Sequence, residues 1–244
     1  IAFQFAIVAM GFFSVVGVLA STALGAQRRD DAVPALAQGM TLALAVGAVL
    51  TILVLNLDVL LGWANQDPKV IDMARPYIRL FAFAIVPMIW FSVMRAFVAA
   101  LMRTGFVLAV TLTTVMLTYF LMNGLVHGRF GLPALGVEGA GLGWAIAMWF
   151  KCICLAAYAA RLITKGKLVR PGQNWLRGAL SLGPLIRLGS PVAGIVALES
   201  GLFAAVSLMS GALGAKELAS YQMMIAWVSI PFVISLGFSE AAMV

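Results

Sequence analysis

Long uncharged apolar runs make up most of the chain, and short polar connections separate them. A helix needs roughly 20 mostly apolar residues to cross about 30 Å of hydrocarbon. Seven runs reach that length, at about 1–25, 34–61, 76–101, 105–126, 139–160, 190–213 and 217–243. Polar residues followed by proline are typical of helix starts, and we expect boundaries at Pro34, Pro68, Pro76 and Pro191. The pattern predicts an all-α polytopic bundle of about seven transmembrane helices.

The composition supports a membrane location. Of the 244 residues, 63% are hydrophobic and only 10% are charged. So little charged surface does not keep a water-soluble globule of this size soluble and monomeric. We therefore expect an integral, multi-pass membrane protein whose surroundings are membrane lipids.

The basic residues predict an orientation. Of the 16 Lys and Arg residues, ten fall on the side of the first connection and five on the other, and Lys151 lies within a segment. Because cytoplasmic loops carry the excess of Lys and Arg, residue 1 is expected outside. The longest basic stretch, 161–187, would face an anionic inner leaflet. The net charge of +7 is thus explained without a nucleic-acid partner.

One polar connection is long enough to separate two lobes. Residues 163–187 contain the sequence Pro171-Gly172-Gln173-Asn174, which breaks regular structure. We therefore predict a first lobe at 1–162, a cytoplasmic connection at 163–187 and the start of a second lobe at 188–244. The chain begins within an apolar run and without Met, so we expect a partial chain.

Glu199 is a single carboxylate within the apolar run 190–208, "SPVAGIVALESGLFAAVSL". If Pro191 is the first helical residue, Glu199 lies about 12 Å into a core about 30 Å thick. An ionised side chain at that depth costs a few kcal/mol, so it usually faces a cavity, pairs, or binds a proton or ion. The alternative is a neutral, hydrogen-bonded residue that joins helices. Small residues leave room for a cavity around it: Gly194, Ala197, Ser200, Gly201, Ala204 and Ala205.

Five further polar side chains are candidates for lining a cavity: Gln4, Thr118, Asn123, Lys151 and Gln222. Lys151 lies mid-segment and should face protein or water rather than lipid. We expect Gln4 and Gln222 either to line a path through the bundle or to form hydrogen bonds between helices. We expect the threonines of the fourth segment to have a packing role, because threonine hydroxyls often bond their own helix backbone.

Enzyme chemistry finds no support in the sequence. Cys152 and Cys154 are two apart on a helix and point to different faces, so we expect neither a metal site nor a disulfide. His127 is the single histidine, and no Walker loop or HExxH pattern is present. Gly139 and Gly143 form a GxxxG spacing, which indicates close helix contact.

Four stretches in order resemble one transporter family. The stretch from 188 to 243, beginning "LGSPVAGIVALESG", is similar to the seventh and eighth helices of the multidrug and toxic compound extrusion (MATE) transporters of the NorM type. "ALGAQRRDDAVPALAQG" (23–39) resembles the connection between their second and third helices. "DPKVIDMARPYIRL" (67–80) resembles the entry to the fourth, and "HGRFGLPALGVEGAGLGWA" (127–145) the connection into the sixth.

This resemblance implies a fold and a function. MATE transporters have twelve helices in two lobes and exchange organic cations for Na⁺ or H⁺ across the cell's inner (plasma) membrane. This chain would hold helices two to six in 1–162 and seven to eight in 188–244. Glu199 matches the family's acidic residue of helix seven and would bind the coupling cation or a cationic drug; no cofactor besides the coupling ion is implied. The paired asparagines common in helix five are replaced by "TVMLTYFLMNG" (114–124).

Two alternatives remain open at this point. One is a flippase for lipid-linked precursors of the same superfamily, in which cationic side chains meet a diphosphate in the cavity. A cavity-facing Lys151 would favour that alternative. The other is a membrane scaffold without transport, in which replacing Glu199 has no functional effect.

Overall fold

Seven α-helices form the part of the chain that the computed structural model describes, which is residues 2–26, 29–56, 68–129, 131, 133–165 and 182–242. They are α1 (Ala2–Gly25), α2 (Arg29–Leu55), α3 (Pro68–Ala100), α4 (Thr104–His127), α5 (Val137–Lys165), α6 (Gly183–Leu213) and α7 (Ala215–Ala242). Each contains a segment long and apolar enough to cross a membrane. The predicted all-α membrane bundle is confirmed.

The prolines mark the helix starts less well than expected. Pro68 is the first residue of α3, but Pro34, Pro76 and Pro191 lie inside helices. The prediction that Pro191 begins its helix is wrong, because α6 begins eight residues earlier, at Gly183. Interior prolines are tolerated in membrane helices because neighbouring helices and side chains satisfy the backbone groups that proline frees.

The polar connection at 163–187 is shorter than predicted. Helix α5 continues to Lys165 and α6 begins at Gly183, so both ends of the predicted connection are helical. Pro184 lies in the first turn of α6, where its missing N–H costs no helical hydrogen bond. The centre of the connection, 166–181, lies outside the described residues, as do 57–61 of the predicted second segment.

Helix α3 is the core of the bundle and packs against α1, α2 and α5. Of its apolar span, 72% is buried, against 6% for α6. Phe13 of α1 and Phe97 of α3 are among the largest fully buried side chains. Helix α4 packs mainly on α5, α6 packs on α1, and α7 packs on α6. In the described part of the chain, helices α1, α2 and α5 therefore surround α3. Helices α6 and α7 extend the bundle from α1.

Glycines permit the closest helix contacts. A Cβ on Gly139 would overlap the backbone carbonyl of Leu125, and Gly143 also faces α4, at Leu121. The close contact predicted from the GxxxG spacing is thus confirmed as the α4–α5 interface. Between α1 and α6, a Cβ on Gly189 would lie 2.7 Å from the ring of Phe12.

One side-chain hydrogen bond replaces a backbone hydrogen bond that α3 lacks. Pro87 lies inside this helix and is fully buried. It has no N–H, so the carbonyl four residues earlier, that of Phe83, has no helical donor. The indole Nε1 of Trp149 in α5 donates to the Phe83 carbonyl oxygen at 3.2 Å. This bond joins α5 to α3 at a carbonyl for which α3 itself supplies no donor.

We expect the substitution Trp149→Phe to lower the free energy of unfolding by about 1–3 kcal/mol, because it leaves the Phe83 carbonyl without a donor in hydrocarbon. In a Pro87→Ala background residue 87 regains its N–H, and the same substitution should cost less. Reversible unfolding of the four proteins in mixed micelles measures the difference. Equal costs in both backgrounds would contradict this account of the Trp149 bond.

Candidate functional site

A cavity of about 610 Å³ lies between α4 and α5. We call it the α4–α5 cavity. Its polar lining comes from both helices and includes Thr111, Thr114, Thr118, Asn123, Trp144 and Lys151. Three residues predicted to line a cavity, Thr118, Asn123 and Lys151, are therefore brought together here.

Lys151 supplies the positive charge of this cavity. It is the fifteenth of the 29 residues of α5 and is half-buried. Its ammonium nitrogen lies 4.0 Å from the ring centroid of Phe91 in α3. A cation over an aromatic face is attracted by the negative face of the ring. Arg95, also on α3, repels Lys151 electrostatically. The ammonium is thus held against α3 at the depth where a charge is most costly.

The threonine hydroxyls of α4 hydrogen-bond to the backbone of their own helix. The hydroxyls of Thr113, Thr114 and Thr118 donate to the carbonyl oxygens four residues earlier at 2.7–2.8 Å. Because their hydrogens are used in this way, their oxygens can only accept a further bond. Asn123 donates from Nδ2 to the Tyr119 carbonyl oxygen at 3.3 Å. The expected bonds between threonine hydroxyls and their own helix backbone are thus present.

Trp144 is a functional candidate that the sequence reasoning did not assign to the cavity. Its indole nitrogen is buried and has no hydrogen-bond partner in the described part of the chain. The signal was present in the spacing, since Trp144, Met148 and Lys151 recur at the helical i, i+4, i+7 interval. All three line the α4–α5 cavity.

Two further cavities lie along α6. One, of about 600 Å³, is mostly apolar and lies between α1, α2 and α6, where Phe12, Ala197, Ser200 and Gly201 contribute to its wall. The other, of about 270 Å³, is lined by Gln4, Ser207 and Gln222 of α1, α6 and α7. Gln222 donates from Nε2 to Ser207 Oγ at 3.4 Å. Gln4 and Gln222 are thus brought together, and Gln222 bonds between helices.

Glu199 lies apart from all three cavities. It is the seventeenth of the 31 residues of α6, so it lies at the middle of the helix even though α6 begins earlier than predicted. Its neighbour Ser200 is buried against the apolar cavity. Consecutive helical residues are turned by about 100°, which directs Glu199 away from that cavity. Its side chain is exposed and makes no hydrogen bond or ion pair with the described residues.

The cysteines are free. Cys152 is buried and Cys154 is half-buried. Over the described residues there is no group of three or more His, Cys, Asp or Glu side chains placed to hold a metal ion.

The comparison with known proteins decides the family. The MatE family model matches residues 1–125 of the chain. The chain belongs to the MatE family. This confirms the resemblance seen in the sequence, and the MatE fold accounts for a bundle made only of long apolar helices over the described residues.

Curated relatives and a solved structure extend the match over nearly the whole chain. A probable multidrug resistance protein NorM from Agrobacterium fabrum is 31% identical over 234 residues, which is 96% of this chain and 50% of the relative. One of the same name from Pseudomonas putida is 33% identical over 239 residues, covering 95% and 50%. The crystal structure of the eukaryotic MATE transporter AtDTX14 aligns with a TM-score of 0.77 at 20% identity, over 92% of this chain and 50% of that one.

The chain spans about half the length of the curated relatives it matches. These relatives are named as probable multidrug resistance proteins. The helices described here correspond to a partial MATE chain that crosses the membrane several times.

We expect a thiol at position 199 to face water, because a charged side chain within a spanning segment usually faces a water-filled cavity. The background is Cys152→Ser with Cys154→Ser, and the variants are Glu199→Cys, Leu198→Cys and Ser200→Cys. Glu199→Cys should react with a charged methanethiosulfonate reagent at least about tenfold faster than the other two, because the reacting thiolate forms poorly in apolar surroundings.

Leu198 is the matched control, since its side chain is 79% exposed but apolar. Equal, slow modification at positions 198 and 199 would show that Glu199 faces lipid or protein instead of water.

Proposed function

We propose that this chain is part of an exporter that expels organic cations from the cell in exchange for Na⁺ or H⁺. The observation that carries the proposal is Glu199, a carboxylate at the middle of α6 that has no hydrogen-bond or ion-pair partner among the described residues. A carboxylate there attracts one positive charge, from either a drug or the coupling ion. The NorM relatives, which are named as probable multidrug resistance proteins, support the same assignment.

The proposed mechanism is competition for one carboxylate. When Glu199 binds Na⁺ or a proton, its affinity for a cationic drug falls, so the coupling ion that enters from outside releases the drug there. Exchange of this kind requires that each ligand bind the two conformations of the transporter with different affinities. The moving bodies would be a first lobe at 1–162 and a second lobe that starts at 188–244, joined by a cytoplasmic connection. The site would lie in the inner membrane, with residue 1 outside.

The test is accumulation of a fluorescent cationic dye in cells that express the intact protein, under sodium and proton gradients applied separately. We expect Glu199→Gln to lower dye export at least about tenfold, because the amide lacks the negative charge that attracts the cationic dye or the coupling ion. Glu138→Gln is the matched control, because Glu138 lies in the first turn of α5 and is exposed. It should export like the unsubstituted protein, and the gradient that drives export identifies the coupling ion.

A second candidate is a flippase for lipid-linked precursors. Lys151 lines the α4–α5 cavity, and a cation in a cavity is suited to meeting a diphosphate. If Glu199→Gln and the unsubstituted protein export dye equally at the same membrane abundance, the exporter proposal fails. The flippase, or a scaffold without transport, then replaces it.

A further inference from the structure

We propose that an anionic phospholipid binds where α4 begins and α5 ends, with its phosphate held between Arg103 and Arg161 and with Lys165 beside them. We call these three side chains the α4–α5 basic cluster. The inference goes beyond the proposed transport function and does not depend on it, because it concerns the lipid that surrounds the bundle.

Two contacts fix the antiparallel register of α4 and α5. At one end of the pair, Gly139 lies against the backbone of Leu125. At the other end, the rings of Phe106 and Tyr158 stack with centroids 4.0 Å apart and an interplanar angle of 16°. The two contacts are 19 residues apart on both helices. The helices therefore run past each other without a shift, and each residue of α4 has a defined opposite residue on α5.

This register brings the three cations together. Arg103 lies three residues before Phe106, and Arg161 lies three residues after Tyr158, so the two arginines are opposite each other. Lys165 follows Arg161 at the i, i+4 interval that places residues on one helix face. All three are exposed, and none has an ion pair among the described residues.

The cluster lies at the end of the apolar spans. The span of α4 begins at Thr104, and that of α5 ends at Lys165. Beyond the ends of such spans the hydrocarbon gives way to the polar headgroups of the lipids. The cations are therefore placed at the level of the lipid phosphates.

A tight turn between α3 and α4 holds Arg103 in place. The backbone N–H of Arg103 donates to the Val98 carbonyl oxygen at 3.2 Å, and that of Met102 donates to the Ala99 carbonyl oxygen at 2.8 Å. Met102 has a φ of 55°, a left-handed conformation that completes this helix-ending motif. The turn leaves the Met102 side chain 72% exposed. An apolar side chain thus lies next to Arg103, where it can contact acyl chains.

The charge balance selects an anion. Glu138 is the single Asp or Glu between positions 73 and 198. It lies in the first turn of α5, 23 positions before Arg161, or about 35 Å along the helix. Asp30 and Asp31 belong to α2, which packs mainly on α1 and α3. Like charges placed this close repel one another, and a phosphate that accepts hydrogen bonds from both guanidinium groups removes the repulsion.

The surroundings favour a lipid over a free phosphate. The Phe106 side chain is 37% exposed one turn from Arg103. A Cβ on Gly105 would meet nothing within 4 Å, so the space beside the start of α4 is open. Cations beside exposed apolar side chains match a molecule with an anionic head and apolar chains. Basic pockets at the ends of spanning helices bind anionic lipid headgroups in this way.

The test measures binding of dioleoylphosphatidylglycerol to the intact protein in detergent by native mass spectrometry, which resolves each bound lipid by its mass. Dioleoylphosphatidylcholine has the same chains without the net charge. We expect Arg103→Gln and Arg161→Gln each to weaken phosphatidylglycerol binding about fivefold and to leave phosphatidylcholine binding unchanged. Arg187→Gln is the matched control, because Arg187 is an exposed arginine near the start of α6, which packs on α1 and α7. Its affinity should stay within about twofold of the unsubstituted protein.

Tyr158 tests whether the register matters. Tyr158→Phe keeps the stack on Phe106 and should keep phosphatidylglycerol binding within about twofold. Tyr158→Ala removes the stack that sets the distance between Arg103 and Arg161, and it should weaken binding at least about fivefold. Tyr158 is a positioning residue in this account, since it does not contact the phosphate.

Three results would overturn the proposal. Equal losses for Arg187→Gln and Arg161→Gln would show that the lipid responds only to the overall charge of the surface. Equal affinities for phosphatidylglycerol and phosphatidylcholine would exclude an anion site. Displacement of the lipid by inorganic phosphate at equal concentration would assign the cluster to a free phosphate. The measurement involves no transport, so failure of the export assay leaves this site intact and failure of lipid binding leaves the exporter intact.

Discussion

The absence of water in the hydrocarbon core is the constraint on which the rest of this structure depends. Every backbone N–H and C=O in the spanning segments needs a partner within the protein. Helices satisfy most of them, and side chains repair the exceptions, as Trp149 does for the carbonyl that Pro87 leaves open in α3. The threonine hydroxyls of α4 are used within their own helix in the same way. Some polar groups of the described residues remain without such a bond, and candidate site residues are among them.

Lys151, Trp144 and Glu199 are three such groups. Each is placed on a helix whose other positions are mostly apolar, and none has its polar atoms fully satisfied by the described residues. Lys151 and Trp144 share one cavity, whereas Glu199 lies on another helix and outside it. Glu199 and Lys151 therefore lie on separate helices, α6 and α5.

The number and kind of helices could be predicted because run length alone determines what spans a membrane. The starts were harder to predict at Pro34, Pro76 and Pro191, since an interior proline and a helix-starting proline look alike until the neighbouring helix is known. Charge identified Glu199 and Lys151 directly from the sequence. Their surroundings could not be predicted, because they depend on which helix packs beside α5 or α6 and at what rotation. The ring of Phe91 lies 60 residues before Lys151 in the chain, and no local pattern connects them.

The order of Phe91 and Lys151 along the chain has a consequence for biogenesis. A lysine at the centre of a segment opposes membrane insertion by about 2.5–3.5 kcal/mol. Helix α3 precedes α5, so the aromatic ring that stabilises the ammonium is synthesised first. The Gly139 contact also presses α5 closely onto α4, its immediate predecessor. Helix α5 can thus pack against α3 and α4, which are already synthesised, as it leaves the translocon, and the Lys151 ammonium does not have to enter the bilayer alone.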